Sequence, residues 1–521
     1  MKNLLTYIFA LFVIILVSYA VYFVYKENQN KNNESIIGEG EKIVALSDIR
    51  LGIVSLDTLN PILSKNKHYQ DISKLVFNSL LTISEEYKIE NLLAEEWSVV
   101  NDTSYIVKLR NDIKWHDSMP LVAADVKFTI DTLKRADIDS IYKDNVRNIV
   151  STEIIDEHTL KINLDGKVPF FEYNLIFPIL ANHYYLNEDF VQTERNNKPL
   201  GTGTYKISIR ESNAITLVTE ETSSIKTINI SLYNSIGELY NAFKVSNIDV
   251  MATTNINWKQ YIGTFGFSYK EIPGREYEYL SLNCSDSVLN NPEVRKAIGL
   301  AVDKTNIVSN IFNNEYIVSN FPLDYGSWLY PNDTVGLEHN IEQAKQTLLD
   351  GGWTYKYDYW QKDGLIIDLN LVVRNSDLVR VEVAEIIKQD LEKAGIKITI
   401  DRVTDYIYQS YLNDKDYDII FAGRNLSFNP DLTSYFSEGN LANYNNEEAK
   451  SIVRDLVGVT DEKILKEKYK RLVEIYNEEV PYISLYNNKN TFLYSKMLVA
   501  DVNPNWYNLF NNISNWYRQK K

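Results

Sequence analysis

Arg374, Arg424 and Asn425 stand at the ends of apolar runs that read as strands, 366–373 and 417–422, and Asn283 stands in the same way after 279–282. Ser47 and Asp48 close a shorter apolar run, 43–46. A guanidinium grips a carboxylate through two parallel N–H bonds, and amides both donate and accept. The set therefore suits a ligand that carries carboxylate and amide groups. In open α/β sheets ligands bind outside the carboxyl ends of the strands, so Arg374, Asn283, Arg424, Asn425, Ser47 and Asp48 are the candidate ligand contacts. Taken singly, an arginine at a strand end serves equally well to pair a surface carboxylate. A shared rim is what favours the ligand reading.

Nothing in the chain points to catalysis. There is no GxSxG, no phosphate-binding P-loop and no GxGxxG after a strand, and Gly201-Thr202-Gly203 lacks a following helical pattern. The five histidines, His68, His116, His158, His183 and His339, are too far apart for a local metal signature. Trp115-His116-Asp117 has no nucleophile or second acid set beside it and reads as a loop between strand and helix. One cysteine, Cys284, excludes an intrachain disulfide and reads as a small buried hydrophobe. No cofactor and no metal are expected.

The elements that must hold the candidate residues are clearest between 277 and 421, where strand and helix signals alternate and imply βαβ units in a mostly parallel sheet. Asn291 with Pro292 opens a helix with Val294, Ala297, Ile298 and Ala301 on one face. Asn340 with Gln343 opens another, and Val383, Ile387 and Leu391 stripe a third that stops at Gly395. Upstream, a helix is expected over 71–81, a strand over 104–110, a helix over 123–133 and a hairpin over 154–164. No repeat of 20 to 50 residues is present, which excludes solenoids and propellers.

With 54 Lys and Arg against 70 Asp and Glu, the net charge of -16 leaves nothing to neutralise a phosphate backbone, so no nucleic-acid partner is expected. Residues 4–25 are uncharged, with only Thr6 and Ser18 as small polar interruptions, and are long enough to cross a bilayer. They are read as an uncleaved anchor at 1–25, followed by a flexible tether at 26–41 rich in Asn, Lys and Glu. Everything after Lys26 then lies outside the cytoplasm.

From about residue 43 onward the chain resembles extracytoplasmic solute-binding proteins of the peptide and nickel transporter class, family 5. The resemblance rests on Leu92-Leu-Ala-Glu-Glu-Trp97, Ile113-Lys-Trp-His-Asp117, Lys198-Pro-Leu-Gly-Thr-Gly-Thr-Tyr205 with Thr204 where proline is usual, Asn291 to Ile298 with Ala301-Val-Asp303, and Glu479-Val-Pro-Tyr-Ile-Ser-Leu485. It implies an α/β, two-lobed periplasmic-binding-protein-like fold, type II and of the large cluster C type, with an inserted third subdomain. The expected division is lobe 1 at 42–79, 199–273 and 491–521, the insert at 80–198 and lobe 2 at 274–490. The resemblance further implies a monomer that captures a peptide between its lobes and delivers it to the permease subunits of an ATP-driven importer. In dipeptide-binding relatives an arginine placed as Arg374 holds the peptide carboxylate. Their aspartate for the peptide amine, four residues before a proline, would fall at Leu426, so that anchor is missing here or displaced by a longer loop. The alternatives are a peptide-sensing receptor of the same fold and a binder of another solute such as a nickel chelate.

Overall fold

In a computed structural model the protein is described at residues 45–263, 266–331, 336–499 and 502–519. The anchor and tether expected at 1–41 lie outside the described residues. No helix among the described residues is long and apolar enough to cross a membrane. Ser47–Arg518 forms one compact unit.

The first sheet is built on Asp48–Val54, whose residues alternate between buried and half-buried as a strand with one covered face must. It pairs in parallel with Thr227–Tyr233, which pairs antiparallel with Ala214–Val218, and that strand with Lys206–Arg210. The expected strand over 43–46 falls partly outside the described residues, its described part, Ala45–Leu46, is a strand, and the core strand starts at Asp48. Ser47 therefore follows a strand end as expected, while Asp48 opens the next strand.

Between two stretches of this lobe lies an antiparallel four-stranded sheet, ordered Ala94–Asn101, Ser104–Leu109, Thr159–Leu164 and Ile149–Asp156. Helix Ala123–Lys134 covers it, with Val126, Ile130 and Leu133 fully buried as the spacing requires. In chain order this sheet and its helix are an insert between Asp48–Val54 and Lys206–Arg210, and the hairpin expected over 154–164 forms within it, as Ile149–Asp156 and Thr159–Leu164.

The second lobe's sheet is mixed, which corrects the expectation of a mostly parallel one. Asp368–Arg374 pairs in parallel with both Lys397–Val403 and Ile419–Asn425. Phe267–Leu282 pairs antiparallel with Ile419–Asn425 on one side and with Tyr482–Ser495 on the other. Helices Pro292–Ala301, Ile341–Asp350 and Leu378–Lys393 form where expected. Asn340 caps the second through the Gln343 N–H at 2.9 Å. Asn291 gives no such bond, and its amide turns back to the Val288 carbonyl. Gly395, at φ +77°, adopts the left-handed backbone that ends the third helix.

Phe267–Leu282 and Tyr482–Ser495 are unusually long, 16 and 14 residues. At about 3.3 Å per residue they span roughly 50 Å, enough to serve both lobes. The last part of Tyr482–Ser495 lies between Val250–Thr253 and the first part of Phe267–Leu282, and the other ends of the two long strands pair within the second lobe's sheet. The register shifts between Pro273 and Tyr277, at the crossing. There Gly274 packs so closely on Asn488 that only a glycine fits.

Candidate functional site

A cleft of about 800 Å³ opens at this crossing. One wall is the short helix Lys67–Ser73, started by Asn66, whose side chain accepts the Tyr69 N–H at 3.0 Å. Tyr69 and Ile72 are buried and fix the helix to the first lobe, the Tyr69 hydroxyl donating to the Leu59 carbonyl at 2.5 Å. Lys67, Gln70, Asp71 and Lys74, at spacings of three, four and seven, then line the cleft together. The helix expected over 71–81 is corrected to this earlier span, because Asn66 supplies the cap and the chain turns at Lys74.

The insert contributes Tyr142 and Asp144, the crossing strands Gly274, Arg275, Glu276, Asn488 and Asn490, and the second lobe Asn425 to Phe428. Trp506, Tyr507 and Leu509 come from the carboxyl-terminal segment. Arg275 is the hub of this far wall. Its guanidinium donates to the Leu426 carbonyl at 2.9 and 2.6 Å, to the Ser427 carbonyl, and to Asp324 at 2.9 Å. It also lies over the rings of Phe428 and Trp506, at 4.6 and 4.8 Å. Trp506 in turn stacks on Tyr87 of the insert at 4.0 Å. Three separate stretches of chain thus meet around one cation whose donors are taken by the protein itself.

Burial governs the charged groups of the opposite wall. It lifts the Asp71 carboxyl above its usual range and lowers the Lys74 ammonium, the pair standing 4.0 Å apart. That separation is too long for a hydrogen bond, so mutual attraction does not offset the lost hydration.

Of the six candidate residues, Asn425 lines this cleft. Strand Ile419–Asn425 runs three residues beyond the expected end, so Arg424 and Asn425 are its last residues, with Asn425 beside Glu276 in register. Arg374 likewise ends its strand, at the same edge as Arg424. It is half-buried, 3.6 Å from Asp377 and 5.4 Å from the Tyr408 ring, and its Nε is buried without a hydrogen-bond partner. Arg424 is exposed and donates to the Ser434 hydroxyl at 3.0 Å.

Asn283 is at the opposite edge, a correction that follows from the antiparallel course of Phe267–Leu282. Its amide donates to the Tyr417 and Lys415 carbonyls at 2.8 and 3.3 Å and so ties strand ends together. Asp48 accepts from Arg518 at 2.6 Å, and the Ser47 carbonyl accepts the Lys226 N–H at 2.6 Å.

Trp115-His116-Asp117 proves to be a structural clasp. The Gly201 N–H donates to His116 Nδ1 at 3.2 Å, so the ring proton sits on Nε2 and is donated to the Gly203 carbonyl at 2.9 Å. Trp115 donates to Asp125, and His183 meets Asp117 at 2.9 Å. Burial also pushes the Cys284 thiol up to about 11, far from a reactive thiolate.

The sequence reading missed the cleft's first wall and its carboxyl-terminal wall. The polar stripe of 67, 70, 71 and 74 behind Asn66 was a usable signal. Residues 503–511 carry no periodicity, and only the fold brings them to the site.

Two lobes, two continuous crossing strands and a cleft between them define a binding protein of the two-lobed class. The chain belongs to the bacterial extracellular solute-binding proteins, family 5, whose model, described as the family's Middle region, matches residues 88–446. Members of this family are solute-binding proteins and not enzymes. The oligopeptide-binding protein AppA of Bacillus subtilis (strain 168) is 24% identical over 477 residues, covering 85% of this chain and 86% of that protein. The structure of AppA from Bacillus subtilis in complex with a nonapeptide superposes with a TM-score of 0.61 at 24% identity, over 92% of this chain and all of that one. The periplasmic murein tripeptide binding protein MppA, in its unliganded open form, gives a TM-score of 0.80 at 16% identity, over 92% and 99%. At these identities the superpositions establish the fold.

Proposed function

We propose that this protein captures a peptide in the cleft at its crossing strands and delivers it to the permease subunits of an ATP-driven importer. The observation that carries the reading is the cleft itself. At about 800 Å³ it matches the size of small-ligand sites, and both lobes line it with side-chain amides and aromatic rings. Amides meet the donors and acceptors of a peptide backbone, and rings meet its side chains. AppA, an oligopeptide-binding protein, shares the family and the fold.

The protein works on the extracytoplasmic side, and the run at 4–25 holds it to the membrane as a monomer. Arg374 receives the ligand's carboxylate as the lobes close. What supports this is its unpartnered Nε and its place at one sheet edge with Arg424 and Asn425. Mass spectrometry of molecules that co-purify with residues 42–521, followed by calorimetric titration with the peptides found, tests the reading. A non-peptide solute in the cleft, with no binding of peptides, overturns it.

A further inference from the structure

Tyr87 and Phe170 are buried aromatic residues of the insert whose backbone is left-handed, at φ +67° and +52°. Bulky side chains rarely adopt that conformation, and it persists where surrounding contacts over-determine it. Among the described residues the other aromatic residue in it, Tyr357, is 89% exposed. Tyr173 joins the two buried ones: its hydroxyl donates to the Tyr87 carbonyl at 2.7 Å, and its ring meets that of Phe170 edge-on at 6.1 Å.

Both face the second lobe. Tyr87 sits at the tip of the hairpin of Leu81–Ile83 and Ile89–Asn91. A Cβ on Gly326 would stand 3.3 Å from its ring. Beside it the Trp328 N–H donates to the Glu86 carbonyl at 2.9 Å, and Lys88 pairs with Glu462 at 2.7 Å. At the other turn the Asn429 amide donates to the Pro169 and Phe170 carbonyls, each at 3.2 Å, and the Tyr469 ring meets that of Phe170 at 6.2 Å. Gly326, Trp328, Asn429, Glu462 and Tyr469 all belong to the second lobe.

The insert itself is seated on the first lobe, where His116 binds it to Gly201 and Gly203. The carboxyl-terminal segment holds the hairpin tip from the same side. Asn503 and Asn511 donate to Glu85 at 2.8 and 3.3 Å, and Trp506 stacks on Tyr87. Leu509, Phe510 and Trp516 of that segment are buried in the first lobe's core. A swing of the lobes about the crossing at Gly274 therefore has to slide the second lobe past both strained turns. A glycine would adopt either turn without cost, so what the aromatic residue adds is its contact with the second lobe.

We infer that Tyr87 and Phe170 are the pins of a latch through which the insert holds the second lobe at a fixed angle to the first. The latch acts between the lobes and not on the ligand, so it is independent of what the cleft takes.

Electron–electron resonance distances between nitroxide labels test this on the full-length protein in detergent, with Cys284→Ser removing the native thiol. Labels at Ile155→Cys and Leu349→Cys, both exposed positions, report the insert against the second lobe. Labels at Ile155→Cys and Val245→Cys, again exposed, report the insert against the first. Without added ligand the parent is expected to give a narrow distribution for the first pair. Tyr87→Gly and Phe170→Gly, which relieve the strain and remove the ring, are each expected to broaden it about twofold or more, while the second pair stays as in the parent. Gly326→Val wedges Tyr87 from the second lobe's side and is expected to broaden the first pair too, which keeps the test open where a glycine variant folds poorly. A first-pair distribution unchanged in Tyr87→Gly and in Gly326→Val overturns the latch. Equal broadening of both pairs also overturns it, because the residues would then hold the insert together and not the lobes.

Discussion

Gly274 lies directly against Asn488: a Cβ on Gly274 would stand 1.9 Å from Asn488 Oδ1, the same oxygen that accepts the Glu276 N–H at 3.0 Å. The two residues face one another where the crossing strands shift register, at the mouth of the cleft. A methyl group there has to displace a buried side chain. Gly274→Ala is therefore expected to cost on the order of 1–3 kcal/mol, and Asn488→Ala a similar amount by leaving the Glu276 N–H without its partner. Urea denaturation checks both, and losses below about 0.5 kcal/mol, the range of ordinary surface changes, would refute the close fit.

A second close fit holds the lower part of the same strand. Glu278 takes Arg380 through two bonds of 2.7 and 2.8 Å, across Gly423, where a Cβ would stand 2.2 Å from the carboxylate. Arg380→Leu leaves that carboxylate buried and unpaired, so a loss on the order of 3–5 kcal/mol is expected. In the double variant Glu278→Leu/Arg380→Leu most of that loss should return, since two apolar groups replace the pair. A double-mutant cycle by chemical denaturation measures this, and additive losses would show that the pair is not coupled.

Acid sensitivity is expected from His116. Its pKa is lowered, chiefly by burial, and the bond from Gly201 requires a free lone pair on Nδ1. The unfolded chain then takes up a proton near the ordinary value of 6.5 while the folded one does not. Stability is full above that value and is lost as pH falls below it toward the folded-state pKa. Melting temperatures between pH 5 and 8 should show this slope in the parent and a flatter one in His116→Gln. Identical slopes would remove His116 as the cause.

For Arg374, substitution by alanine should weaken peptide binding by about thirty- to a thousand-fold, or roughly 2–4 kcal/mol, as loss of a charge-assisted contact in a closed cleft does. Calorimetry with the co-purified peptide decides. An affinity within threefold of the parent, at an unchanged melting temperature, would leave Arg374 as a partner of Asp377 and Tyr408 alone.

The full-length protein should sediment with membranes, held by residues 4–25. Appearance in the medium with a new amino terminus near Val21 would mean that the segment is cleaved.

Much of this architecture was legible in the sequence because it depends on neighbours along the chain. The caps at Asn340 and the stop at Gly395, the stripe of Val383, Ile387 and Leu391, and the hairpin of the insert are local patterns, and the helices and strands form where those patterns place them. Strand direction is not local. Whether Tyr279 to Leu282 runs with or against its neighbours depends on where the chain returns some 200 residues later, as Tyr482–Ser495, and that decided that Asn283 faces away from Arg374 and Arg424. The site divides in the same way. Residue types alone pointed to amides and arginines, and Asn425 could be named from its position after an apolar run. Arg275, Asp71 and Trp506 come together only because two strands about 50 Å long carry one lobe to the other and fold the carboxyl-terminal segment against their crossing. Chemistry is written residue by residue, but a cleft is a property of distance in space, which packing alone supplies.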